Sequence, residues 1–241
     1  MDGLNKAIVL DDERIQATIN RLHLRIQDRF PESSLGEVCL RVHELARQTR
    51  ETLQWISSPN RPLRYTVVAF VVILAIILLA SLCQMDLSAD GINWSDFVQM
   101  TDAALNQLVL IGAGIIFLVT LENRRKRQRV ITAVNRLRSL AHIVDAHQLT
   151  KDPERIYNLK TATQHSPARD LTDYNLGRYL DYCTELLSLI GKLGFLYVQD
   201  FHDPVATSAV NDLENLTTGL SRKIWQKIMI LQPPDVPTHK H

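Results

Sequence analysis

The sequence predicts an all-α membrane protein: a two-helix transmembrane hairpin with a cytoplasmic helical bundle formed by N- and C-terminal amphipathic helices. Three observations predict it. Two uncharged apolar runs, residues 65–85 and 103–121, flank an acidic connection. The segments on either side repeat apolar residues at spacings of three and four, the period of a helix with one buried face. No stretch alternates apolar and polar residues as a half-buried strand does.

The first run, Tyr65 to Met85, holds 21 residues without a charge, and twelve are Val, Leu, Ile or Phe. On the insertion scale those twelve favour the bilayer by roughly 5 kcal/mol, with no charged residue opposing them. The length suits a hydrocarbon core of about 30 Å at 1.5 Å per residue. The second run, Ala103 to Leu121, has 19 residues, eleven of them Val, Leu, Ile or Phe, with Asn106 and Gln107 weakening its outer end. No signal peptide is expected, because the first apolar run lies far beyond the usual window and follows a charged segment.

Lysine and arginine set the orientation. Arg61 and Arg64 precede the first run, and Arg124, Arg125, Lys126, Arg127 and Arg129 follow the second. Between Arg64 and Arg124 there is neither Lys nor Arg, while Asp86, Asp90, Asp96 and Asp102 lie in or beside the connection. The positive-inside rule then puts both termini in the cytoplasm and an outer loop at 86–102. The five basic residues read as an anchor for anionic lipid headgroups, each charge worth about 1 kcal/mol near the surface. A nucleic-acid site is the weaker reading, and with 27 basic against 26 acidic residues no nucleic-acid partner is expected. Trp94 and Tyr65 fit the two membrane interfaces.

Four regions follow: a cytoplasmic helical hairpin over 1–60, the membrane hairpin over 61–123, a cytoplasmic bundle over 124–232, and a disordered tail over 233–241. The first amphipathic helix runs from about Asp11 to Phe30 on Ile15, Ile19, Leu22, Ile26 and Phe30, and Pro31 stops it. The second opens at a capping box, Ser34 to Glu37, and carries Leu35, Val38, Val42, Leu45, Leu53 and Ile56. After the second apolar run, Val130, Val134, Leu137, Ala141 and Val144 keep the spacing, so that helix continues to about Gln148. A short helix from Pro153 to about Lys160 and a loop over 161–170 come next. A helix from about Thr172 to Gln199 uses Leu176, Leu180, Cys183, Leu187, Ile190, Leu193 and Tyr197. Its LLSLIGKLGFLYV run is too short for a span and contains Lys192, so it reads as a core helix. The last helix starts at Asp203-Pro204 and carries Val210, Leu213, Leu216, Leu220, Ile224, Ile228 and Leu231.

Reactive chemistry is sparse. There is no nucleophile elbow, phosphate-cradling glycine loop, zinc-protease motif or dinucleotide fingerprint. His142, Asp145 and His147 share one segment, but the spacing of five between the histidines suits hydrogen bonding better than a metal. Cys39 and Cys183 fall on apolar stripes and read as packing residues. No cofactor, metal or catalytic residue is expected. The apolar runs lack ionisable groups, which argues against a proton-coupled transporter. Gly112 and Gly114 in the second run, with Ala75 and Ala80 in the first, offer a surface for close helix contact and self-association.

The segments SLAHIVDAHQLTKDPE, FHDPVATSAVNDLENLTTGLSRKIWQKIMIL and DRFPESSLGEVCLRV resemble a family of bacterial inner-membrane proteins with two membrane helices and no assigned activity. At the level of architecture the chain also resembles the two-span modules called SLATT domains, whose proposed role is pore formation. The resemblance implies a bacterial inner membrane and transfers no functional residue. The expectation is a non-enzymatic protein that contacts the lipid bilayer, forms a homo-oligomer and docks a cytoplasmic protein partner. The alternative is an oligomeric pore or channel built from the two-helix hairpins.

Overall fold

The computed structural model describes residues 9–57, 61–83, 94–151 and 171–231. Over them the chain forms six helices, and the described residues contain no strand. The helices are α1 (Asp12–Arg29), α2 (Ser34–Ser57), α3 (Arg61–Cys83), α4 (Trp94–Leu149), α5 (Asp173–Gln199) and α6 (Pro204–Leu231). The chain divides into two compact units, Met1–Ser57 with Arg129–His241, and Ser58–Gln128. Helix α4 contributes to both.

In the larger unit, local sequence starts each helix. The Asp11 carboxylate accepts the backbone N–H groups of Glu13 (2.9 Å) and Arg14 (3.4 Å). That is an N-cap, and Asp12 and Glu13 in the first turn complement the helix dipole. Thr172 caps α5 by accepting from Asn175 N at 3.3 Å. Asp203 caps α6 through Val205 N (3.1 Å) and Ala206 N (3.0 Å), with Pro204 at the first helical position, where its missing N–H costs nothing.

The cap of α2 differs from expectation. The Ser33 hydroxyl, not that of Ser34, accepts the Gly36 N–H at 3.3 Å. Ser34 is already the first helical residue. The capping frame is therefore shifted by one residue, to Ser33.

The apolar stripes of these helices share one core. Helix α1 packs on α2 and α5, α2 also packs on α5, and α5 packs on α6. In α4, Val130, Val134, Leu137, Ala141 and Val144 are all fully buried. Helix α5 is buried on most of its surface, so its leucine-rich run is a core helix. Two glycines bring it close to its neighbours: a Cβ on Gly194 would lie 2.6 Å from Leu213 Cδ2, and one on Gly191 would lie 3.2 Å from Thr217 Oγ1.

The smaller unit holds α3 and α4 up to Gln128. Helix α3 covers the expected first span except Gln84 and Met85, which lie outside the described residues. Helix α4 starts at Trp94, so residues 94–102, expected in the connecting loop, are its first turns. No glycine or proline occurs over 94–102 to stop it. Trp94 is exposed and stacks on Phe97 with ring centroids 5.9 Å apart. The two helices touch at two described places. Gln107 Nε2 donates to Leu74 O at 3.0 Å, and a Cβ on Gly114 would lie 2.8 Å from Phe70 Cε1.

Among the described residues one helix, Phe97–Leu149, is long and apolar enough to cross a membrane. Its most apolar window has a mean hydropathy of 2.2 and none of it is buried inside the protein. The apolar stretch Tyr65–Ile77 of α3 is shorter than a full span. The expected helix at 153–160, the loop at 161–170 and the tail at 233–241 lie outside the described residues.

Candidate functional site

The basic run after the apolar part of α4 divides by partnership. Arg124 and Arg125 are exposed. Lys126 pairs with Glu122 at 2.9 Å, one turn back, with both side chains mostly covered. Such a pair screens the lysine from outside anions. Arg129 lies with its guanidinium 3.6 Å from the centre of the Trp55 ring. Stacking of this kind holds an arginine in place while leaving its charge intact. Arg127 is engaged within the chain as well. Of the five expected headgroup anchors, Arg124 and Arg125 are thus the pair most open to an external anion.

The expected helix-contact surface also divides. Gly114 faces α3, but what it meets is Phe70, not Ala75 or Ala80. Ala75 and Ala80 are exposed. A Cβ on Gly112 would meet nothing within 4 Å. The tight contact is set by an aromatic ring over a glycine, a pairing that spacing of small residues in sequence does not signal.

The larger unit has open clefts whose polar groups are already used. One, of about 940 Å³, lies between the start of α1 and the middle of α5 and includes Asp11, Arg14, Thr18, Thr184, Glu185 and Lys192. Asp11 caps α1 and pairs with Arg14 at 3.6 Å. Glu185 takes both guanidinium nitrogens of Arg25, at 2.8 and 3.2 Å. Lys192 donates to Ser188 at 2.6 Å. The Thr18 and Thr184 hydroxyls turn back on their own helices, to Arg14 O and Asp181 O, each at 2.7 Å. A second cleft of about 450 Å³ lies beyond Leu10, whose backbone is clamped by the Gln199 amide at 2.9 and 3.4 Å.

His142, Asp145 and His147 do not converge. Asp145 accepts from Gln148 Nε2 at 2.6 Å, His142 is exposed, and His147 borders a small cleft with Ser33, Ser34 and Tyr179. Among the described residues no three His, Cys, Asp or Glu side chains are grouped to hold a metal ion. Burial pushes the Cys39 and Cys183 thiols up to about 12, so both stay protonated and inert at neutral pH.

Sequence reasoning missed the polar joint at the end of α4. Lys227 Nζ on α6 donates to Gln148 O (2.9 Å) and Lys151 O (3.2 Å). A cation at a helix C-terminus satisfies carbonyls that have no intrahelical partner. The lone signal was a lysine flanked by the apolar positions Ile224 and Ile228 on the last helix.

No family model matches the chain, and no curated protein or solved structure matches it.

Proposed function

We propose that this chain is a two-span protein of a bacterial inner membrane, with both termini cytoplasmic and no enzymatic activity of its own. Its larger unit forms a cytoplasmic helical bundle that serves self-assembly or the docking of a partner protein. The observation that carries this reading is the apolar, uncharged stretch of α4, none of it buried inside the protein and followed within one turn by Arg124 and Arg125. In water, each exposed Ile, Leu or Phe would forgo roughly 1.5–3 kcal/mol of burial. In lipid that cost disappears.

Several features support the second span. Helix α3 is 23 residues long, and from Tyr65 to Cys83 it has no charge. Its apolar side chains Val68, Ile73, Ile76 and Leu79 are exposed. Phe70 pairs with Gly114 and Leu74 with Gln107, the order expected of antiparallel helices in a hairpin. Tyr65 and Trp94 are exposed, at positions that fit the two interfaces of such a hairpin. The bacterial setting comes from the resemblance noted above. The pore reading is weakened, because the Gln107 amide, a polar group on α4 that could face a channel, is committed to Leu74 O.

Alkaline washing of membranes from expressing cells tests the reading. The chain is expected to stay in the membrane pellet until detergent is added. Release by carbonate at pH 11 would overturn it.

A further inference from the structure

In the cleft between α1 and α5 the polar groups answer one another. In the small cleft beside His147 they do not. Its volume is about 380 Å³, and three elements build it: Ser33 and Ser34 at the start of α2, His147 and Lys151 at the end of α4, and Tyr179 on α5.

Tyr179 is 4% exposed, and burial pushes its pKa up, so the phenol keeps its proton at neutral pH. Its hydroxyl lies beside that of Ser34, and neither has a carbonyl or carboxylate to donate to among the described residues. If one hydroxyl donates to the other, a proton is still left over. The Ser33 oxygen accepts the Gly36 N–H, which leaves its own proton to be donated as well. Lys151 holds its ammonium 5.7 Å from the centre of the Tyr179 ring and makes no ion pair among the described residues. The cleft also receives the positive end of α2, a helix of 24 residues, where the Ser34 N–H has no intrahelical acceptor. Donors and positive charge are in surplus, and a nearly buried phenol is among them.

We propose that this cleft binds the phosphate group of a small soluble phosphate monoester. Phosphate brings three strong acceptor oxygens, which match the protons left over on Tyr179, on the two serines and on Lys151. Its charge suits both the ammonium and the helix end. Ala146 and Thr150 complete the inner lining, so there is no apolar wall for an acyl chain. Glu32 is the one acid lining the cleft, and it is exposed. Its carboxylate opposes a bound anion, so removing it should improve binding. The site stands apart from the membrane reading and does not depend on it.

The full chain in maltoside detergent, which carries no phosphate, tests this at constant ionic strength. Inorganic phosphate is expected to raise the melting temperature in a saturable way. Lys151→Gln should weaken binding at least about fivefold, Tyr179→Phe about threefold, and Glu32→Gln should tighten it about twofold. The opposite sign at Glu32 is not produced by a change in stability alone. Glycerol 3-phosphate should bind more tightly than a short-chain phosphatidic acid, and the reverse order would overturn the soluble source. A rise matched by chloride, or affinity for phosphate unchanged in both Lys151→Gln and Glu32→Gln, overturns the site.

Discussion

The hydroxyls of Thr49 on α2 and Tyr197 on α5 meet 2.8 Å apart, both shut off from solvent. Thr49 gives its own proton to Leu45 O at 2.9 Å, so Tyr197 is the donor in the pair. The contact ties the N-terminal helices to the C-terminal part of the chain, 148 residues away in sequence. Thr49→Val leaves the Tyr197 hydroxyl buried without an acceptor and should cost about 1–3 kcal/mol. Tyr197→Phe leaves Thr49 still bonded to Leu45 and should cost about 0.5–1.5 kcal/mol. The double substitution should cost less than the sum. Thermal unfolding of the four proteins in detergent, followed by circular dichroism, measures all three differences, and strict additivity would show that the pair is not coupled.

Glycine substitutions in the larger unit should have opposite signs. Gly194→Ala drives a Cβ to 2.6 Å from Leu213 Cδ2, so the fully buried Leu213 side chain must shift. The expected loss is about 1–3 kcal/mol, which exceeds the roughly 1 kcal/mol gained from better helix propensity. At Gly219 a Cβ meets nothing within 4 Å, so Gly219→Ala keeps only the gain and should raise the melting temperature.

Lys227 fastens the end of α4 through two carbonyls. Lys227→Met keeps the stem and removes the donors. About 1–3 kcal/mol should be lost, and amide exchange over residues 145–151 should accelerate while α1 is little affected. Exchange that rises equally in every helix would point to global destabilisation instead.

Alkali should weaken the fold through the buried thiols. Cys39 and Cys183 sit near 12 in the folded chain against an ordinary value of 9.0, because burial disfavours the thiolate. A raised value means the folded state holds its protons longer than the unfolded state. The associated stability is therefore complete below pH 9 and is lost as pH rises from 9 towards 12, on the order of 1 kcal/mol per pH unit for each thiol. Cys183→Ala should flatten that slope. At pH 8, a thiol reagent should modify neither cysteine until denaturant is added.

The basic run should act on lipid through Arg124 and Arg125. Replacing both with Gln should reduce the protein's preference for anionic lipid, read as the salt-sensitive enrichment of labelled anionic lipid around the protein in vesicles. Lys126→Gln should have a smaller effect, since Glu122 already pairs with that lysine. Equal effects would mean that the ion pair does not hold in the membrane.

Much of the helical pattern was legible in the chain itself. The stripes on α4 and α5 predicted buried residues because each keeps a single face at one period, whereas Phe30, Leu216 and Leu231 are only half-buried and Thr217 takes the core position expected of Leu216. The helix starts at Asp11, Thr172 and Asp203 were legible because a short polar side chain stands before each apolar-periodic run. Ser33 was not, since either of two adjacent serines can serve as the cap in the sequence alone. The early start of α4 was hidden because Asp96 and Asp102 suit a loop and a solvated helical turn equally well. Phe70 over Gly114 and Lys227 at the end of α4 could not be read, because each is a contact between segments whose register only folding sets.

The claim on which the rest depends is that α3 and α4 both thread the bilayer and return the chain to the side it left. Compartment-sensitive reporters fused in turn to each terminus, and inserted within residues 86–93, measure it most directly. The account predicts that both terminal fusions report the cytoplasm and the insertion reports the outside. Terminal fusions on opposite sides of the membrane would contradict it.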